Sequence, residues 1–275
     1  GPRLAVASTL GKVIMKSTGI SVVTGGASGI GAGCVKHLVK RGDKVVVVDL
    51  PGAWQPAKMG VEVAGVYECD VTDDQGLRNV AAAIEKDHGP VTSLVNSAGI
   101  LQRRLPPDQL TMAEWDRVIA VDQRGTYLAC VVFGDPMVRR GHGAIVNIAS
   151  ITSTRSVPLH AYAPAKAAVL SITQCLAGEW GRSGVRVNAI SPGYVLTEAM
   201  QAAIARGDRN PDDMTSQAAM GRLVDVSEIA DAAGFLLSDA ARAITGINLP
   251  VDAGWLAGSS WMTYGGVPAA RPHAA

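Results

Sequence analysis

The chain is poor in aromatic residues. Only 4% of its 275 residues are Phe, Trp or Tyr. A surface that stacks on bases needs aromatics interleaved with Lys and Arg, and none is present. With a net charge of +1 and no basic run, there is no electrostatic case for nucleic acid or for an acidic surface as partner. Long apolar runs are missing too, and no stretch reaches the ~20 residues of a transmembrane helix, so no membrane partner is expected. Residues 1–17 carry a short apolar patch without the core of a signal peptide and are read as a leader. Cysteine is scarce. Cys34, Cys69, Cys130 and Cys175 are scattered, with no CxxC pair and no His at ligand spacing. That disfavours a disulfide framework or a metal site, and predicts buried thiols in a reducing, cytoplasmic setting.

Small and aliphatic residues are abundant. Hydrophobic residues make up 48% of the chain and charged ones 18%, enough for a substantial core with close helix-on-sheet packing. Apolar runs at 20–24, 44–49, 61–69, 92–95, 144–149, 185–190 and 246–251 read as strands. Amphipathic stretches between them read as helices, including one long helix over 112–139. Four consecutive valines at 45–48 fit a strand buried on both faces. Alternating strands and helices predict an α/β fold: one doubly wound, Rossmann-like domain of about seven parallel strands with helices on both faces. It is expected to span 18–257, with a polar lid at about 197–220 and a C-terminal tail at 258–275. Trp255, Trp261 and Tyr264 near that tail are read either as covering the subunit's own core or as packing on a neighbour.

The most informative stretch is ISVVTGGASGIG at 20–31. A strand runs into a turn punctuated by Gly25, Gly29 and Gly31, and a helix follows. Glycines let the backbone approach phosphate oxygens, and the N–H groups of a first helical turn lack intrahelical partners. Ser28 and Ile30 belong to the same turn. The spacing is G-x-x-x-G-x-G, and by itself a glycine-rich turn is also a plain connection. Asp49, at the end of the next strand and 18 residues after Gly31, stands where a ribose diol would be bound, with Leu50 beside it.

Further along the chain come Asn96-x-Ala98-Gly99 and Tyr162-x-x-x-Lys166, with Ser150 upstream. With the glycine turn, these resemble the short-chain dehydrogenase/reductase family over about 20–255. The stretches around Asn188, Ser191-Pro192-Gly193 and Asp252-Ala253-Gly254 add to the likeness. The resemblance implies a nicotinamide cofactor, hydride transfer at an alcohol or carbonyl carbon, a small-molecule substrate, and a homo-oligomer, with a tetramer favoured over a dimer. It implies that residues 25–31 meet the pyrophosphate and Asp70 and Val71 the adenine. Asn96, Ala98 and Gly99 would line the ribose side, and Pro192, Gly193, Val195 and Thr197 the carboxamide side.

The chemistry has its own physical footing. Tyr162 and Lys166 are four residues apart and share a helix face. A free phenol titrates near ~10, and a neighbouring ammonium favours its ionised form. Ser150 would donate to the substrate oxygen. The carboxylate of Asp49 would repel a 2′-phosphate, and residues 25–31 contain no Arg or Lys to offset it, so NAD is expected over NADP. The chain departs from the family pattern twice. Asp122 stands where the family usually has Asn, either as a participant beside Lys166 or as a backbone cap at a helix kink. Ser150 lies 12 residues before Tyr162 rather than 13, which leaves Ser153 as an alternative donor. The substrate pocket is expected from 102–107, 152–161 and 198–220. Arg103, Arg104, Arg155 and His160 there lean towards a hydroxylated substrate. A silent dinucleotide-binding protein and an NADPH-dependent carbonyl reductase are the rival readings.

Overall fold

The computed structural model describes residues 19–271, so the expected leader and the last four residues of the tail lie outside the described residues. Seven strands form one parallel sheet: β1 (Ile20–Thr24), β2 (Lys44–Asp49), β3 (Gly65–Glu68), β4 (Val91–Asn96), β5 (Gly143–Ile148), β6 (Val185–Pro192) and β7 (Asn248–Val251). Their spatial order is β3-β2-β1-β4-β5-β6-β7. The helices in chain order are α1 (Gly29–Arg41), α2 (Pro56–Met59), α3 (Asp74–His88), α4 (Met112–Val118), α5 (Thr126–Arg140), α6 (Tyr162–Trp180), α7 (Glu198–Ala205), α8 (Pro211–Thr215), α9 (Val226–Leu237) and α10 (Trp255–Gly258).

The valine runs explain the layering. Successive strand residues point to opposite faces. Val23, Val45, Val47 and Val95 pack with Val35, Leu38, Ile229 and Ala233 of α1 and α9 on one face. Val22, Val46, Val48 and Leu94 pack with Leu77, Ile84, Leu128 and Phe133 of α3 and α5 on the other. Burial on both faces is what the sheet's unalternating apolar sequence requires. Local signals set the helix limits. Asp73 caps α3 by accepting from Gly76 N, and Asp225 and Glu228 form a capping box at α9. Gly42 ends α1 in the left-handed region.

Three features differ from the sequence expectation. The third strand is only four residues long, not the whole of 61–69. The long helix expected at 112–139 is interrupted by a π-helical segment, Ile119–Gly125, between α4 and α5. The polar stretch at 197–220 contains α7 and α8. Cys34, Cys69 and Cys130 are buried as expected, but Cys175 is exposed; all four are free thiols. Burial pushes the Cys34 and Cys130 thiols up to about 12. Of the tail aromatics, Trp255 is buried in this subunit's own core, whereas Trp261 and Tyr264 are 51% and 89% exposed. Among the described residues no helix is long and apolar enough to cross a membrane. The edge strand β7 carries Pro250, which is exposed.

After β3 the chain returns to the other side of β1 and builds β4. The carboxyl ends of β1 and β4 therefore feed loops in opposite directions, and a crevice opens between them. A polar ladder lies beneath it. Thr24 Oγ1 donates to Asn96 Oδ1 (3.4 Å), Asn96 Nδ2 to Asn147 Oδ1 (2.9 Å), and Asn147 Nδ2 to Thr173 Oγ1 (3.0 Å). All four side chains are buried, so the ladder tolerates no missing member. Asn147→Leu should strip partners from Asn96 and Thr173 and cost about 1–3 kcal/mol. Urea unfolding reads this as a lower midpoint at unchanged slope, and an unmoved midpoint would show that the ladder contributes nothing.

Candidate active site

The helix α6 starts at Tyr162, and Ala161 at its N-cap offers no side-chain acceptor. The cap comes from 59 residues upstream. Gln102 Oε1 accepts from Ala161 N (2.6 Å) and from Tyr162 N (3.1 Å). Reading the sequence placed Gln102 only on the pocket wall; the missing polar residue at position 161 was the signal that a cap had to come from elsewhere.

One turn along, Lys166 lies on the same face as Tyr162, its Nζ 5.5 Å from the tyrosine ring centroid. Its side chain is only 6% exposed. Nζ donates to Ile148 O (3.0 Å) and stands 3.4 Å from Asp122 Oδ2, an ion pair without hydrogen-bond alignment. The π-helical segment delivers Asp122 to this place, fully buried. Its other oxygen accepts from Ile100 N (2.8 Å). Asp122 thus faces the lysine and pins the loop after β4, rather than capping the backbone at the helix kink itself. Ser150 lies two residues beyond the end of β5. Its Oγ accepts from Thr152 N (3.2 Å), which turns the hydroxyl hydrogen away from the backbone. The structure brings Ser150, not Ser153, to the tyrosine hydroxyl.

The electrostatics differ from the sequence expectation in sign. Lys166 pulls the Tyr162 phenol down as expected, and so does the hydrogen bond from Ser150. Burial outweighs both and Asp122 adds to it, so the phenol of the unliganded protein lies above its ordinary value. Asp122 is itself raised, mainly by burial, against the opposing pull of Lys166 and the Ile100 N–H.

The glycine turn sits at the crevice. Gly25 has φ +65°, and a methyl group on it would come within 2.6 Å of the Ala98 backbone. A methyl on Gly31 would fall 2.0 Å from Gly25 O. Only glycine fits either position, and the space above the turn is left to backbone N–H groups. Ser28, the N-cap of α1, makes no side-chain cap, so the first turn of that helix has no side-chain acceptor from its own cap residue. Ile30 packs its side chain on the core below. Asp49 is tied to the same turn. Its Oδ2 accepts from Ala27 N and its Oδ1 from Leu50 N, both at 2.8 Å. Leu50 is half exposed beside it, Asp70 is exposed and Val71 buried.

Asn96 gives its side chain to the ladder, so its main chain, with Ala98 and Gly99, forms the crevice wall. A methyl on Gly99 would stand 3.4 Å from both Lys166 Nζ and Asp122 Oδ2, so the Lys166–Asp122 pair borders the crevice wall. On the far side, Pro192 ends β6 and Gly193 N donates to Val251 O. Val195 bridges to Val224, and Thr197 caps α7. Thr197 Cγ2 faces Gly29 across the crevice, 3.8 Å from where a Cβ on that glycine would lie. Asn188, in contrast, ties β6 to Ile244 and Ile247 and faces no cleft. Among the described residues no cluster of His, Cys, Asp or Glu suits a metal ion.

A family model described as enoyl-(acyl carrier protein) reductase matches residues 25–256. The chain is 38% identical over 243 residues to D-threitol dehydrogenase of Mycolicibacterium smegmatis, covering 86% of this chain and 92% of that protein. It is 40% identical over 245 residues to the L-tagatose-forming galactitol 2-dehydrogenase of Cereibacter sphaeroides, covering 86% and 94%. NAD-dependent glycerol dehydrogenase of Listeria innocua is 36% identical, covering 86% and 93%. Among solved structures, a Brucella melitensis protein named ribose-5-phosphate isomerase superposes with TM-score 0.87 at 46% identity, covering 92% of this chain and 99% of that one. An NADP-bound structure of ElxO superposes with TM-score 0.82 at 28% identity, covering 87% and 99%.

Asp122→Asn removes the carboxylate that pushes Tyr162 up. The Tyr162 phenol should then titrate at lower pH than in the wild type. Ultraviolet difference titration of the unliganded protein, with Tyr162→Phe as blank, reads the change; an unmoved or upward-moving transition would show that the tyrosine does not feel this charge.

Proposed function

The chain belongs to the short-chain dehydrogenase/reductase family, and on that premise we propose that it is an NAD-dependent dehydrogenase of polyols or related hydroxy compounds. Tyr162, Lys166, Ser150 and Asp122 form its catalytic group. The observation that carries the reading is the place of the Tyr162–Lys166 pair, whose lysine borders the crevice wall at Gly99, beside a glycine cradle at the sheet's switch point.

The cradle suits a dinucleotide: side-chain atoms are excluded at Gly25 and Gly31, and the α1 N-terminus is left without a side-chain cap. Residues 25–31 would hold the pyrophosphate, Asp49 the adenine ribose, Asp70 and Val71 the adenine, and Pro192, Gly193, Val195 and Thr197 the carboxamide end. The bound nicotinamide supplies a hydride acceptor or donor. The chain's own residues do the rest. Ser150 donates to the substrate oxygen and fixes it beside Tyr162. Tyr162 takes the alcohol proton during oxidation and returns it during reduction. Lys166, anchored by Ile148 O, stabilises the phenolate. Asp122 balances the lysine's charge in a site with little water. A raised phenol makes oxidation favour alkaline pH, because the proton acceptor is the ionised form.

Asp49 supports NAD over NADP. Its carboxylate is locked against the glycine turn by two backbone donors, where a 2′-phosphate would meet it. The three curated relatives act on threitol, galactitol and glycerol, which supports a polyol substrate. An isomerase reading, prompted by the name of the Brucella protein, leaves the dinucleotide cradle without a task. Exposed Tyr127, Phe235 and Ile247 support a homo-oligomer, tetramer or dimer, and the free cysteines support a cytoplasmic location.

With NAD and a panel of threitol, galactitol and glycerol, the wild type should form NADH, and Tyr162→Phe should lose at least about 100-fold in kcat. Retained turnover in that variant would remove the tyrosine from the chemistry. Asp49→Ala should narrow the preference for NAD over NADP by at least about tenfold in kcat/KM; an unaltered ratio would place discrimination elsewhere.

A further inference from the structure

Beside the start of α6 lies a cavity of about 470 Å³, room for a small organic ligand and far more than one inorganic ion needs. Its walls are the loop at 152–160 and, on the helix, Ala163, Pro164 and Ala167. Arg155, Ser156, Pro164 and Ala167 are all exposed, so the cavity is open to solvent and a ligand has a route in. The loop wall is also the connection between two catalytic side chains. Thr152 N donates to Ser150 Oγ (3.2 Å), and Ala163 follows Tyr162 directly.

The chemistry of the lining restricts the ligand. Arg155 brings a permanent positive charge and His160 an imidazole, and no Asp or Glu lines the cavity. Among the described residues neither side chain has an ion-pair partner. The one hydrogen bond of Arg155 runs from Nη1 to Thr154 O (3.0 Å) and leaves the rest of its donor fork unused. Ser156 adds an exposed hydroxyl. The positive end of the α6 dipole acts in the same sense, and the first turn of that helix has no acidic residue. Behind these groups, Thr152 Oγ1 and Ser153 Oγ are enclosed without a hydrogen-bond partner, so neither side chain ties this wall down. Accessible donors and a positive charge with no acid nearby complement an oxyanion.

We propose that this cavity is an oxyanion site, in which Arg155, with His160 and Ser156, binds the carboxylate or phosphate group of a small organic anion. The group is borne either by the far end of the substrate or by a separate molecule. In the first case the inference rests on the polyol reading above and sharpens it to sugar acids and sugar phosphates. In the second it stands without that reading, and the ligand acts on Ser150 and Tyr162 through the loop that joins them.

Inorganic phosphate serves as the probe. Titrated calorimetrically into the full chain, it should bind saturably with Kd in the ~mM range and raise the midpoint of the thermal melt. Arg155→Gln should weaken that binding at least about fivefold, and His160→Ala should act in the same direction, with melts in the absence of phosphate to verify folding. Arg182→Gln makes the same change of charge at an exposed position beyond the other end of α6. At that distance it should leave the affinity within about twofold. NADH formation from NAD is then compared for threitol and for threonate, its sugar acid, with and without phosphate. A kcat/KM for threonate at least about tenfold above that for threitol, lost in Arg155→Gln, assigns the site to the substrate's own far end. Any smaller preference, with phosphate binding intact, assigns it to a separate anion. Absence of saturable phosphate binding together with no Arg155-dependent preference for threonate overturns the proposal. So does binding that falls equally in Arg155→Gln and Arg182→Gln. A wild type inactive on both compounds and on other polyols overturns the polyol reading, and the phosphate titration then decides the site by itself.

Discussion

A cation out of water governs the architecture of this site. Lys166 is almost wholly enclosed, and an ammonium in that position must be met by acceptors or abandon its charge. The fold supplies them from two directions. Ile148 O comes from the end of β5, and Asp122 comes from the π-helical segment between α4 and α5. A regular helix over 112–140 would place residue 122 on a different face, so the extra residue in that turn is tied to the lysine. Asp122 in turn fixes the loop after β4 through Ile100 N. The carboxylate costs something for this: it shares the lysine's field with Tyr162 and works against ionisation of the phenol.

Groups on either side of the crevice are held in place before any ligand arrives. Asp49 already accepts from two backbone donors, so its carboxylate is held in one orientation at the end of β2. The Asn96–Asn147–Thr173 ladder stiffens the floor from β4 to α6. Preset groups of this kind lose little freedom on binding, and that is where much of their contribution lies. By contrast, α7 and α8 have few buried residues, Met214 alone being fully enclosed. The side of the cleft facing Gly29 is thus lightly anchored next to a rigid one.

Features fixed by short-range chemistry were legible in the sequence. Four valines can only be a strand buried on both faces. The glycines at 25 and 31 mark places where a methyl group has no room, and the four-residue spacing of Tyr162 and Lys166 puts them on one face. Features that depend on a partner far along the chain were not legible. Nothing local in 112–140 announces a π-helical turn, because the reason for it is a lysine more than forty residues away. Asn96 carried a motif reading that pointed to the cofactor, yet its amide belongs to the ladder, since its neighbours Thr24 and Asn147 became visible only with strand register. The net rise of the Tyr162 phenol escaped notice for a related reason. Sequence shows the neighbouring charge but not the depth at which it acts.

An open sheet ends in unsatisfied backbone groups, and a free edge is a template for a further strand. Here the β7 edge is four residues long and holds Pro250, which has no N–H to offer. The β3 edge is equally short, and its terminal Glu68 reaches back to Gly52 N. Neither margin can recruit a strand from another copy over any useful length. Growth by stacking strand upon strand, the route to fibrils, is therefore disfavoured at both borders.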